Sequence, residues 1–100
     1  MGLPAFDPIR RVVELPGGVA LEVRGLTRRE FLERPVAEDE DNIDVAELEV
    51  YMLAKGTDTP IGDARSWYDT APAAVVGPVV EAIYAASGVT VDEGKGDGGA

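Results

Sequence analysis

The sequence predicts a mostly helical α+β fold, with an N-terminal β-hairpin followed by about four helices in one domain. Three observations predict it. "VVELPGGVALEV" alternates apolar and polar residues with the period of two that belongs to a half-buried strand, on either side of a Pro-Gly-Gly turn. Beyond Gly25 the signals are those of helix starts and stops: "LTRREF", "KGTDTP" and "AASG". The chain has 100 residues, 45% apolar and 28% charged, which is the size and balance of one globular domain with a thin core. A single domain is expected over residues 1–91. Residues 92–100, "DEGKGDGGA", read as a flexible tail.

The hairpin is expected over about residues 10–24. A three-residue loop of Pro16, Gly17 and Gly18, with Pro16 in a type I turn and Gly18 left-handed, sets Leu15 opposite Val19 and Val13 opposite Leu21. A two-residue Gly17-Gly18 loop would instead oppose Val13 to Glu22 and mix the two faces. A lone hairpin is marginal, so this one must pack on helices.

The first helix is expected over about 28–34. Thr27 and Glu30 have capping-box spacing, Leu26 and Phe31 stand at the positions of a hydrophobic staple, and Pro35 ends the helix. The acidic run "AEDEDN" reads as a solvated connection that brings negative charge to the start of the next helix. Its oxygens do not follow the spacing of an EF-hand, and the required glycine is missing.

The second helix is expected over about 43–55, with Asp41 or Asn42 as cap and Gly56 as a left-handed stop. It has two apolar stripes, Ile43, Ala46, Val50 and Leu53 on one side and Val45, Leu48 and Met52 nearly opposite. Such a helix either sits in the middle of its own domain or gives one stripe to another chain. The third, about 60–69, is expected to use Thr59 as cap and Pro60 as first residue, with Ile61, Ala64, Trp67 and Tyr68 on one face. A tryptophan on such a face is either core or an interface anchor.

The fourth helix is expected over about 71–87, capped by Thr70 and stopped at Gly88. Pro78 falls inside it, so either the helix kinks there or it begins with Gly77 as cap. Val75, Val76, Val79, Val80, Ala82, Ile83, Tyr84 and Ala86 fill about half of its circumference. The other half is small, with Glu81 as its one charge, and is expected to be covered within the fold or by a partner.

Composition excludes most chemistry. Without cysteine or histidine there are no disulfides, no thiolate metal sites and no imidazole base. A net charge of −10 repels phosphate backbones, so no nucleic-acid partner is expected. No apolar run reaches the roughly 18 to 20 residues of a membrane span, and the chain is expected in the cytoplasm. The carboxylates cluster in an exposed run rather than in an apolar cleft, so they keep ordinary acidity and do not read as a catalytic pair. Gly94, Gly96 and Gly99 mimic part of a nucleotide-binding pattern but have no strand before them and no helix after. No catalytic, cofactor or metal residues are expected, and a protein-binding role is the default.

In order, "VELPGGVALEVRGLTRREF", an acidic helix ending "LAKGTDTP", and "ARSWYDTAPAAVVGPVVEAIYAASGV" resemble the tail assembly chaperones of long-tailed bacteriophages. The similarity covers about residues 11–90. It rests on element order and on Gly25-Leu26-Thr27, the Gly56 to Pro60 turn, Trp67 with Ala71-Pro72, and Ser87-Gly88. The resemblance implies a non-enzymatic assembly factor in the bacterial host cytoplasm that coats apolar helices of the tape measure protein and helps recruit tail tube subunits. It also implies a programmed ribosomal frameshift near the end of the gene, giving a longer minor product. The family fixes no binding residues that transfer one by one. The helix wheels supply them instead: Val45, Leu48, Met52, Trp67, Tyr68, Val76, Val80, Ile83 and Tyr84 are the candidate partner-binding residues, and self-association would use the same surfaces. Two rival expectations are an acidic decoy that mimics nucleic acid to block a basic host protein, and a structural protein of the virion tail or head-tail junction.

Overall fold

The computed structural model describes residues 2–35 and 44–88. The acidic connection, Ile43 and the expected tail lie outside them. Strands β1 (Arg10–Leu15) and β2 (Val19–Arg24) are followed by α1 (Arg28–Leu32), α2 (Val45–Gly56), α3 (Ile61–Thr70) and α4 (Ala73–Ala86). This is the expected order and class: an α+β fold in which α4 packs against both strands and against α2.

The hairpin has the register that its turn implies, with Leu15 opposite Val19 and Val13 opposite Leu21. The turn differs in type. Gly17 (φ 85°) and Gly18 (φ 78°) are both left-handed. A positive φ directly after Pro16 is the second central position of a type II turn, which glycine alone adopts freely. The ladder continues past the strands, with the Gly25 amide donating to the Ile9 carbonyl at 2.8 Å. That bond sets its phase. Odd-numbered residues of β1 exchange hydrogen bonds with β2, while the amides and carbonyls of Arg10, Val12 and Glu14 point to the open edge. Val13 and Val23 turn inward and are buried.

The capping box forms as the spacing requires. The Glu30 amide donates to Thr27 Oγ1 at 3.1 Å, and the Thr27 amide donates to Glu30 Oε1 at 2.9 Å. The helix it opens is short, ending at Leu32.

Four other expected boundaries are corrected. The cap of α2 is Asp44, whose side chain accepts from the Glu47 amide, because it lies one residue before the first helical position. Gly56 is the last residue of α2 rather than a left-handed stop; the left-handed residue is Asp58, at φ 54°. Glycine is needed at 56 for room, since a Cβ there would lie 2.4 Å from Ile83 Cδ1. Neither Thr59 nor Thr70 caps a helix. The Thr59 hydroxyl pairs with that of Thr57 at 2.7 Å, and the Thr70 hydroxyl turns back onto the carbonyls of Ser66 and Trp67. Pro60 and Pro72 stand at the two starts instead, without a side-chain cap.

Helix α4 runs unbroken through Pro78. Two local features make that tolerable. Gly77 has no Cβ to meet the proline ring, and both Pro78 and Ala74 are exposed, so the carbonyl that loses its donor is open to water. The helix stops where expected, with Ser87 as cap and Gly88 at φ 89°. Ser87 Oγ accepts from the Leu26 amide at 2.9 Å and donates to the Ile83 carbonyl at 2.7 Å, which fastens the end of α4 to the entry of α1. Gly25 allows this approach, since a Cβ on it would lie 2.2 Å from the Ala86 carbonyl oxygen.

Candidate protein-interaction surface

The nine residues proposed from the helix wheels fall into three groups. Met52 and Ile83 have no exposed surface, and Val76 and Val80 are buried beside them. These four belong to the core, and of them only Val76 also borders a surface groove, described below. The correction has a simple cause. Both stripes of α2 are used internally over its second half, where Val50, Met52 and Leu53 are all buried between α4, α3 and β2.

Leu48, Tyr68 and Tyr84 are half-buried and pack on the edge of that core. Tyr84 meets Phe31 edge-to-face with ring centroids 6.4 Å apart, and burial pushes its phenol above the ordinary value. The Tyr68 hydroxyl donates to Glu49 Oε1 at 2.7 Å. That bond to a carboxylate, with burial second, pushes Tyr68 up to about 12. Both tyrosines therefore stay neutral, and the polar tip of Tyr68 is fixed by its bond to Glu49.

Val45 and Trp67 reach solvent, Trp67 over 37% of its surface. On α3 the predicted common face divides: Ala64 is buried, Tyr68 is half-buried, and Ile61 and Trp67 remain outside. A groove lined by Glu49, Tyr68, Ala71, Ala73, Val76 and Gly77 runs where α3 turns into α4. The small side of α4 is open among the described residues, with Ala74, Pro78, Glu81 and Ala85 all exposed.

Wheel reasoning also missed a feature. Residues 2–9 run along the surface without regular structure, and Leu3, Phe6 and Ile9 are exposed, the first two over 96% and 86% of their area. A signal for it exists in the sequence: apolar residues at every third position, Leu3, Phe6 and Ile9, each separated from the next by a pair containing a proline, the repeat of a polyproline II segment.

The charge around Arg24 is structural. Arg24 lies between Glu30 and Asp58, donating from both terminal nitrogens to the Glu30 oxygens at 3.0 and 3.1 Å and from Nε to Asp58 at 3.1 Å. Chiefly because of Arg24, and further through the Thr27 amide, the Glu30 carboxyl is held at about 2, against the opposing effect of burial. The Tyr51 hydroxyl donates to the Glu30 carbonyl. Every member has a partner, so this cluster fastens β2, α1 and the α2–α3 turn together rather than offering a site to a ligand. Among the described residues no group of three acids is placed to hold a metal ion, and no helix is long and apolar enough to cross a membrane. No protein-family model, curated protein or solved structure matches the chain.

Proposed function

We propose that the chain is a non-enzymatic tail assembly chaperone, which covers apolar helices of a tape measure protein and helps recruit tail tube subunits in the cytoplasm of a bacterial host. The observation that carries the reading is the pairing of uncovered apolar helix surface with strong negative charge. Val45, Ile61 and Trp67 stand out from α2 and α3 in a chain of net charge −10. Such a surface takes an apolar helix into its grooves, and the acidic remainder keeps the complex dispersed. The element order and short stretches described above add the resemblance. Many copies along one long target gain from effective concentration, so each contact needs only modest affinity.

The test is co-expression with the tape measure protein. It should become soluble and co-purify with this chain. Equal solubility in the absence of the chain, with no co-purification, overturns the reading. Mass spectrometry of purified particles separates it from a structural virion role, because a chaperone is absent from the finished particle.

A further inference from the structure

The two-stranded sheet leaves the outer edge of β1 unpaired by any other strand among the described residues. Open edges attract further strands, and proteins usually blunt them. This one carries Arg10, Val12 and Glu14, whose backbone groups point outward, and Val12 is 65% exposed. Beside the edge lies a groove whose far wall is Pro78, Glu81, Ala82 and Ala85 of α4, so on that wall a second backbone meets small side chains and one carboxylate.

We propose that this edge pairs with the same edge of a second copy of the chain, antiparallel about a two-fold axis at Val12, to form a four-stranded sheet. The sequence of the strand is self-complementary in that one register. Val12 covers Val12 of the second copy, Arg10 faces Glu14 of the second copy, and Glu14 faces its Arg10. Moving the axis to Arg11 opposes two arginines, and moving it to Val13 sets Val12 against Glu14. Within its own copy Arg10 stands opposite Arg24, and among the described residues neither Arg10 nor Glu14 forms an ion pair.

The edge of β2 does not offer the same arrangement. Its outward-pointing residues are Ala20, Glu22 and Arg24, so a two-fold axis at the middle one would oppose two glutamates, and Arg24 is already committed to Glu30 and Asp58. On the inner face of the paired β1 edges, Arg11 of the second copy enters the groove at the level of Val13, where Glu81 supplies the opposite charge. An isologous contact of this kind closes at two copies. At about 0.15 M salt the Debye length is about 8 Å, so the repulsion between two acidic chains is screened while adjacent pairs are not.

The dimer does not depend on what the protein binds, and its test uses the isolated chain, so its failure leaves the chaperone reading standing. The chain has no cysteine, which makes crosslinking specific. Paired residues at the axis have Cα atoms about 5.5 Å apart, within disulfide range. Oxidised Val12→Cys is expected to give a covalent dimer, at least tenfold faster than Glu22→Cys on the same outer face of β2. Sedimentation of the cysteine-free chain should show a concentration-dependent dimer. Arg10→Glu should raise its dissociation constant about tenfold, and Arg10→Glu with Glu14→Arg should restore it. Equal crosslinking at both positions, a wild-type chain that remains monomeric at hundreds of micromolar, or a double variant as weak as the single one overturns the proposal.

Discussion

Gly56 at the end of α2 lies against Ile83 in the middle of α4, with room for a hydrogen and not for a methyl group. A Cβ there would fall 2.4, 2.6 and 2.9 Å from three Ile83 carbons. Gly56→Ala forces Ile83, itself without exposed surface, out of its place. The expected loss is about 1–3 kcal/mol in urea denaturation. Gly62 in α3 is the control, since nothing lies within 4 Å of its Cβ position. Gly62→Ala should gain about 0.4–1 kcal/mol by stiffening the unfolded chain.

Glu30 makes stability depend on pH below the usual working range. Its carboxyl is depressed from 4.5 to about 2 in the folded chain. The unfolded chain therefore binds the proton first as pH falls. The contribution is complete above about pH 5 and is lost as pH drops through 4.5 toward 2. With allowance for solvent at its exposed side, about 1–2 kcal/mol is at stake. Denaturation curves at pH 7 and pH 3 should show that difference shrinking in Glu30→Gln.

Pro78 costs α4 the hydrogen bond to the Ala74 carbonyl without breaking the helix. Pro78→Ala restores the bond on an exposed surface. Part of the gain is offset by the freer unfolded chain, which leaves an expected increase of about 1–3 kcal/mol and a higher Tm. A lower Tm would show that the ring makes a contact of its own.

Trp67 is the one tryptophan and is partly exposed, so it reports on its own surroundings. Trp67→Ala should change stability by less than about 1.5 kcal/mol while lowering the yield of soluble tape measure protein several-fold. In the unmodified chain, binding should shift Trp67 fluorescence to the blue. Ile83→Asp and Val80→Asp place a charge in the core and should abolish the near-ultraviolet circular dichroism of the fold itself.

The register of the hairpin was legible to the residue because it follows from two local rules, loop length and side-chain alternation, whereas the turn type was not, since Gly17 as well as Gly18 is left-handed. Gly56 was not, because a stop glycine and a packing glycine look alike until the neighbour is known, and here the neighbour is Ile83, 27 positions away. The candidate surface was half legible for the same kind of reason. On α2 and α4 apolar residues occupy much of the circumference, so nothing local separates Met52, which faces α4 and the core, from Val45, which does not. The small side of α4 could be read directly. It carries a lone glutamate where an outer helix face normally carries several charges.

The guanidinium of Arg24 touches three segments: its own strand's exit at Gly25, the first turn of α1 through Glu30, and, 34 residues on, the left-handed corner at Asp58. A two-stranded hairpin and a pair of helices joined by a strained corner would each tend to open independently. Held by one planar cation, they share their fluctuations. Opening the corner at Asp58 therefore also frees the exit of β2 and the first turn of α1, which the same side chain holds.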